Sequence, residues 1–344
     1  MNKKKLIKCV AIRVDFGEII GYGHIFRANY LANYLLKNNI KVILITLGKK
    51  KIKKIINKKI IIKHVNSGLQ NTLAVLNKYN CKVLISDISY ERNLKKKNFF
   101  KKYNKFFNNK NIKTISFDDP EQFCSSDLSI VPYACKSIKI KKLKKTRLLK
   151  GLEYAIMPET SQNFTKKKIE KFANKILIVI GGTSNEKLIK KILLIINKIE
   201  HPKITAKVFI GTAKKKFFSG ILKKNKKNKI ILFKEFKKIF TLLLWSDLVI
   251  AGEGLIKYEA VAARIPGFFI NNAPIQTNTN KKLIKDFRNL KLLNYLEKST
   301  LKNTNLISKI LSNFMISKKK RLFYVKNSRK INFNKSLKII KNYI

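Results

Sequence analysis

The sequence predicts an α/β protein of two doubly wound, Rossmann-like domains with a ligand cleft between them. Three observations carry this. Short, β-branched apolar runs alternate with longer lysine-rich amphipathic stretches, the rhythm of strands and helices around a parallel sheet. That rhythm runs once, breaks at a polar stretch holding Pro158 and a Thr-Ser-Gln-Asn run, and starts again. The length of 344 residues lets each of two domains bury its own core.

In the first series, strands are expected at 6–14, 41–47, 60–65, 82–86, 112–117 and 128–131, with helices between them, notably at 25–37 and 69–78. This domain spans 1–150, and residues 151–172 form the linker. The second series places strands at 175–180, 207–210, 229–233, 248–250 and 268–270 in a domain spanning 173–316. Helices beyond 302 end the chain, and 317–344 forms a C-terminal helical segment. Proteins built this way bind ligand at the carboxyl ends of the strands, where the strand order reverses.

Composition narrows the function classes. Lys and Arg number 77 against 19 Asp and Glu, a net charge of +58. Only eight of the 77 are arginines, and the lysines are scattered among many Asn and Ile residues. Nucleic-acid readers rely on the arginine fork, so the surplus reads as compositional drift. No specific nucleic-acid partner is expected, weak association with an anionic membrane surface is, and the oligomeric state stays open. Cys9, Cys81, Cys124 and Cys135 form neither a disulfide framework nor a zinc module. His24, His64 and His201 lie too far apart for a helical metal pair, so neither a metal nor a cofactor is expected. Lys8 and Arg13 interrupt the apolar stretch a signal peptide needs, and no run of about 18 apolar residues suggests a membrane span. These features point to reduced thiols in a cytoplasm.

In a chain so poor in acids, those that remain stand out. Asp15, Asp87, Asp118 and Asp119 all fall at or just beyond the carboxyl end of an expected strand, the edge where such sheets do chemistry. Each also suits a turn or a helix cap. The strongest local signal is Asp15-Phe-Gly-Glu-Ile-Ile-Gly21-Tyr-Gly23-His24-Ile-Phe-Arg27, a glycine-bearing loop entering an amphipathic helix. Amides at Gly21 and Gly23 could face a phosphate at the positive end of the helix. It is no dinucleotide fingerprint, because Phe26 holds the third glycine position and no acid occurs from residue 19 to 86. Nor does the chain contain a G-x-x-x-x-G-K-[ST] phosphate loop. His24 sits in the first helical turn, where the dipole disfavours a second proton, as a general base requires; capping or packing is the plainer alternative. Arg27, one turn on, either holds an anion or pairs with Asp15.

Two further turns belong to the second domain. Gly181, Gly182 and Thr183 follow its first strand as a phosphate or sugar cradle. Gly252-Glu253-Gly254-Leu-Ile-Lys257-Tyr258-Glu259 follows a later strand, with Glu259 placed to accept hydrogen bonds from ribose hydroxyls. Gln276 lies in a polar loop suited to sugar hydroxyls.

Taken together these elements resemble the UDP-2,4-diacetamido-2,4,6-trideoxy-β-L-altropyranose hydrolase family of pseudaminic acid biosynthesis, within the GT-B nucleotide-sugar proteins. The carrier is an R-x-D…I-G-x-G-H-x-x-R signature formed by Arg13, Asp15, Ile20, Gly21, Gly23, His24 and Arg27. Asp87, the Asp118-Asp119 pair, Gly151-Leu-Glu-Tyr154, Gly181-Gly182-Thr183 and Tyr258-Glu259 follow in the family's order, so the resemblance covers residues 10 to 280. It implies a GT-B fold whose C-terminal helices cross back to the first domain, and a UDP-sugar substrate. It further implies His24 as the base for an attacking water, Asp15 beside it, Arg13 and Asp87 in the substrate site, and Glu259 holding uridine. The family's A-G-G-S-T-x-W-E is altered here: two hydroxyls are gone, Glu253 adds a repelling charge, and Lys257 stands as a compensating point charge. Hydrolysis of a UDP-diacetamido sugar is the expected reaction, with an inverting UDP-sugar glycosyltransferase as its alternative.

Overall fold

The computed structural model describes residues 8–17, 21–47, 56–66, 68–88, 99–158, 169–181, 185–200, 202–224, 227–235, 239–271 and 278–344. The chain divides into two compact units, Met1–Met157 with Asn332–Ile344, and Pro158–Ile331.

The first unit is a parallel sheet of β1 (Cys9–Val14), β2 (Lys41–Leu47), β3 (Ile61–Val65), β4 (Val83–Asp87), β5 (Lys113–Phe117), β6 (Leu128–Val131) and β7 (Arg147–Lys150). Their order is β3-β2-β1-β4-β5-β6-β7, with Val14 of β1 level with Asp87 of β4. The order reverses between β1 and β4, which makes that edge the switch point. β1 shows why the sheet has three layers. Val10, Ile12 and Val14 point to one face, where they join Ile25, Leu31 and Leu35 of α1 (Gly23–Lys37). Ala11 points to the other, with Leu76 of α2 (Leu69–Lys78) and Phe107 of α3 (Phe99–Asn108). Apolar residues on both faces are the mark of a covered parallel strand. Asn39, Asn80 and Asn111, just past the ends of α1, α2 and α3, take left-handed backbone angles, as asparagine does at helix ends.

The second unit orders six parallel strands as β10-β9-β8-β11-β12-β13. They are β8 (Lys175–Val179), β9 (Thr205–Phe209), β10 (Lys229–Phe233), β11 (Leu248–Ala251), β12 (Gly267–Ile270) and β13 (Asn294–Leu296). Its helices are α4 (Glu186–Asn197), α5 (Ser219–Lys224), α6 (Ile239–Trp245), α7 (Ile256–Ala262), α8 (Asn278–Asn289), α9 (Thr304–Ile316) and α10 (Lys318–Ser328). Asn185 caps α4 by accepting from the Leu188 N–H, and Asn303 caps α9 in the same way through Leu306. α4 and α9 cover one face of the sheet, burying Ile192, Ile196, Leu311 and Phe314 against Ile176, Ile178 and Ile250.

The last helix, α11 (Lys335–Tyr343), packs in the first unit, with Ile340 fully buried there. Asn334 fixes its start: its N–H donates to the Ala155 carbonyl and its side-chain oxygen accepts from the Met157 N–H at 2.7 Å. Ser336 donates to the Tyr154 carbonyl. Strands β7 and β13 were not among the expected elements; both are short edge strands with polar or charged residues. The four cysteines are free, and the thiols of Cys9 and Cys81 lie 2.8 Å apart. No helix among the described residues is long and apolar enough to cross a membrane.

Candidate active site

The first unit gathers its polar groups at the carboxyl ends of four neighbouring strands. Asp87, the last residue of β4, is 1% exposed. Its Oδ1 accepts from His24 Nδ1 and from Arg27 Nη2, both at 2.6 Å, and its Oδ2 accepts from Arg27 Nε at 2.7 Å. Burial alone would raise the Asp87 pKa, but the charges and hydrogen bonds of Arg27 and His24 overcome it and hold the carboxyl well below the usual range. Burial disfavours the Arg27 charge in turn, and Asp87 more than restores it. Arg27 also lies 4.8 Å from the Phe117 ring centroid.

A carboxylate facing Nδ1 fixes the imidazole tautomer. Nδ1 carries the proton, and the Nε2 lone pair is left to act as a base. The His24 side chain is 25% exposed where Asp87 is 2%, so the ring meets solvent while its anchor does not. Beyond β5, Asp119 joins the array: burial raises its pKa, opposed by a hydrogen bond from Tyr133 and the charges of His24 and Arg27. Tyr133, beyond β6, bonds to both Arg27 and Asp119. Sequence reasoning missed Tyr133; its place two residues after β6 was the available signal.

Other expected site residues take different places. Asp15 pairs with Arg13 at 2.9 Å, both buried. Arg27 therefore pairs with Asp87, not with Asp15. Asp118 lies in a buried knot, accepting from Ser116 at 2.6 Å and Gln122 at 2.8 Å, and burial lifts its pKa to about 6. Gly21 has φ +85, a left-handed angle that favours glycine, and its N–H donates to the Gly17 carbonyl at 2.7 Å. That amide is spent inside the loop and does not face an anion. Gly23 begins α1. His64 accepts or donates to Thr46 across β2 and β3 at 2.7 Å, a structural role. His201, Gly182, Thr183 and Gln276 lie outside the described residues.

In the second unit the switch point falls between β8 and β11, where Val179 is level with Ala251. Gly181 follows β8 with φ +124. Gly252 follows β11, and its N–H donates to the Val179 carbonyl at 2.8 Å. A Cβ at Gly252 would meet the Ile180 carbonyl carbon at 2.8 Å, so only glycine fits. Gly254 accepts from the Lys257 N–H as the chain enters α7. Glu259 is buried in the first turns of α7. Lys257 is also buried, its Nζ 5.1, 5.3 and 5.7 Å from the ring centroids of Tyr258, Phe269 and Phe287. Burial pulls its pKa down to about 8 against the opposing charge of Glu253. Among the described residues no three His, Cys, Asp or Glu side chains gather as a metal site.

No protein-family model matches the chain. No curated protein matches it in sequence. Solved structures do match along its whole length. MurG of Acinetobacter baumannii superposes with a TM-score of 0.66 at 12% identity, covering 98% of this chain and 99% of that one. A glycosyltransferase of Rickettsia africae gives 0.61 at 14% identity, covering 98% and 97%. A UDP-glucosyltransferase of Polygonum tinctorium that glucosylates indoxyl gives 0.64 at 9% identity, covering 97% and 98%. With its two parallel sheets in the order seen here, the chain has the GT-B fold.

Proposed function

We propose that this protein transfers a sugar from a UDP-sugar donor to an acceptor hydroxyl with inversion at the anomeric carbon. The observation that carries the reading is the His24–Asp87–Arg27 array at the switch point of the first unit. His24 Nε2 takes the acceptor's proton as its oxygen bonds to the anomeric carbon. The anomeric carbon–oxygen bond to the diphosphate breaks, and UDP leaves with the electron pair. Asp87 stabilises the imidazolium that forms, and Arg27 keeps Asp87 ionised and in place. On the donor side, the turns at Gly181 and Gly252–Gly254 approach the diphosphate, Lys257 supplies a positive charge behind the second turn, and Glu259 accepts from the ribose hydroxyls. Two of the structural neighbours are named as a glycosyltransferase and a UDP-glucosyltransferase, which favours a hydroxyl acceptor over water.

Hydrolysis is the second reading, favoured by the motif from Arg13 to Arg27, and it uses the same base on water. The test is UDP release from a panel of UDP-hexoses and UDP-diacetamido sugars, with and without acceptor alcohols, in the parent and in His24→Ala. Transfer predicts His24-dependent release only when acceptor is present. Rapid release without acceptor establishes the hydrolase instead. Retained anomeric configuration in the fresh product overturns the single-displacement mechanism in both.

A further inference from the structure

Nine large apolar side chains are exposed among the described residues, and five of them, Leu306, Ile310, Ile316, Leu322 and Phe323, lie on the consecutive helices α9 and α10. Phe323 is 45% exposed. Between α9, α10 and the sheet edge runs an open groove of about 590 Å³, with Phe268, Phe314 and Tyr324 along it, and Ile310 and Phe323 beside them. Lys319 and Lys320 line the same groove, and Lys291 Nζ stands 5.4 Å from the Phe323 ring centroid. From residue 304 to 328 the chain has five lysines and no acid. Apolar side chains ringed by exposed lysines meet two demands at once: a hydrocarbon boundary for the rings and anionic groups for the ammoniums.

We propose that this face of the second unit docks on an anionic phospholipid bilayer. Phe323 and its apolar neighbours enter the headgroup–acyl boundary, while Lys319, Lys320 and Lys291 meet lipid phosphates. A second copy of the chain fits poorly, because a two-fold contact through this patch sets lysine against lysine with no acid to answer it. The proposal stands apart from the transferase reading and survives its failure.

With a net charge of +58, attraction to any anionic surface is expected, so the test must localise it. The full chain is sedimented with vesicles of phosphatidylcholine alone and of phosphatidylcholine mixed with phosphatidylglycerol. Lys319→Glu with Lys320→Glu should weaken binding to the mixed vesicles roughly tenfold or more. Lys215→Glu with Lys216→Glu, the same charge change at exposed positions of the same unit, should change it far less. Phe323→Trp should show emission quenched by brominated acyl chains, while the parent, with Trp245 alone, should not. Equal losses from the two charge reversals, or an unquenched Phe323→Trp, overturn the proposal. So does a parent that runs as a dimer which Phe323→Ser splits, since the patch is then a protein interface.

Discussion

Asp87 accepts three hydrogen bonds, two from the Arg27 guanidinium and one from His24, and is almost fully buried, so its two roles separate on mutation. His24→Ala removes only a partly exposed ring; turnover should fall by about 10²–10⁴-fold with the melting temperature nearly unchanged. Asp87→Asn leaves Arg27 buried without its counter-charge and should lose about 3–5 kcal/mol of stability along with activity, read by denaturant unfolding. Because the folded-state pKa of Asp87 is depressed, its stabilisation is full above the unfolded pKa and drains as pH falls below it; Asp87→Asn should flatten the acid side of the stability curve. Lys257 gives a slope in the same direction at higher pH, but at neutral pH its buried charge costs stability where that of Asp87 adds it. Its pKa is lowered to about 8, so the parent should gain stability as pH rises from about 8 towards the unfolded lysine value near 10.4. Lys257→Met should abolish that gain and stabilise the protein at neutral pH, yet bind UDP more weakly. A Lys257→Met variant that binds UDP as tightly as the parent would remove Lys257 from the donor site. The sequence marked both residues without their surroundings. Asp87 was legible as an acid at a strand end, but its partners lie 60 and 63 residues away. Lys257 read as a charge for the diphosphate, and only the fold brings Phe269 and Phe287 around it.

At the scale of elements, the strands most plainly legible are those buried on both faces, although the edge strands β3 and β10, with few buried positions, are legible too as five-residue, mostly apolar runs. β1, β2, β4 and β8 are rich in Val, Ile and Leu with almost no exposed position, as a covered parallel strand requires. β7 and β13 escaped because an edge strand of three or four residues carries little apolar signal. The ladder order is likewise absent from the sequence, since β1 pairs with β2 and with a β4 that lies some 70 residues away. α11 poses the same problem: it joins the first unit after the chain has built the second. Its anchor is Ile340, fully buried among Leu35, Ile156 and Leu149. Ile340→Ala should destabilise the first unit by about 2–5 kcal/mol. The chain's single tryptophan, Trp245, lies in the second unit, so its fluorescence reports that unit alone. An early transition by circular dichroism, with the Trp245 transition held in place, is expected. A parallel shift of both would show that the two units unfold together.

Over the whole molecule the positive charge dominates, and its residue type decides what it can bind. Of the eight arginines, Arg13, Arg27 and Arg321 are buried, and each is held from within the fold. Arg13 meets Asp15, Arg27 meets Asp87, and Arg321 donates to the carbonyls of Glu170 and Lys171. The exposed charge is therefore overwhelmingly lysine, a hydrated point charge without the planar fork that reads guanine or grips phosphate in two places. Such a surface attracts any polyanion and selects none. Duplex DNA should bind at low salt, with an affinity that falls linearly on a log–log plot as salt rises and is indifferent to sequence. Fluorescence anisotropy with two unrelated duplexes, titrated from low to physiological salt, should give superimposable curves that vanish together. Vesicle binding through α9 and α10 should fall less steeply over the same range, because the apolar contribution of Phe323 and its neighbours is not screened. If one duplex were held at physiological salt while the other was released, the lysines would be organised for recognition, and compositional drift would no longer explain the charge.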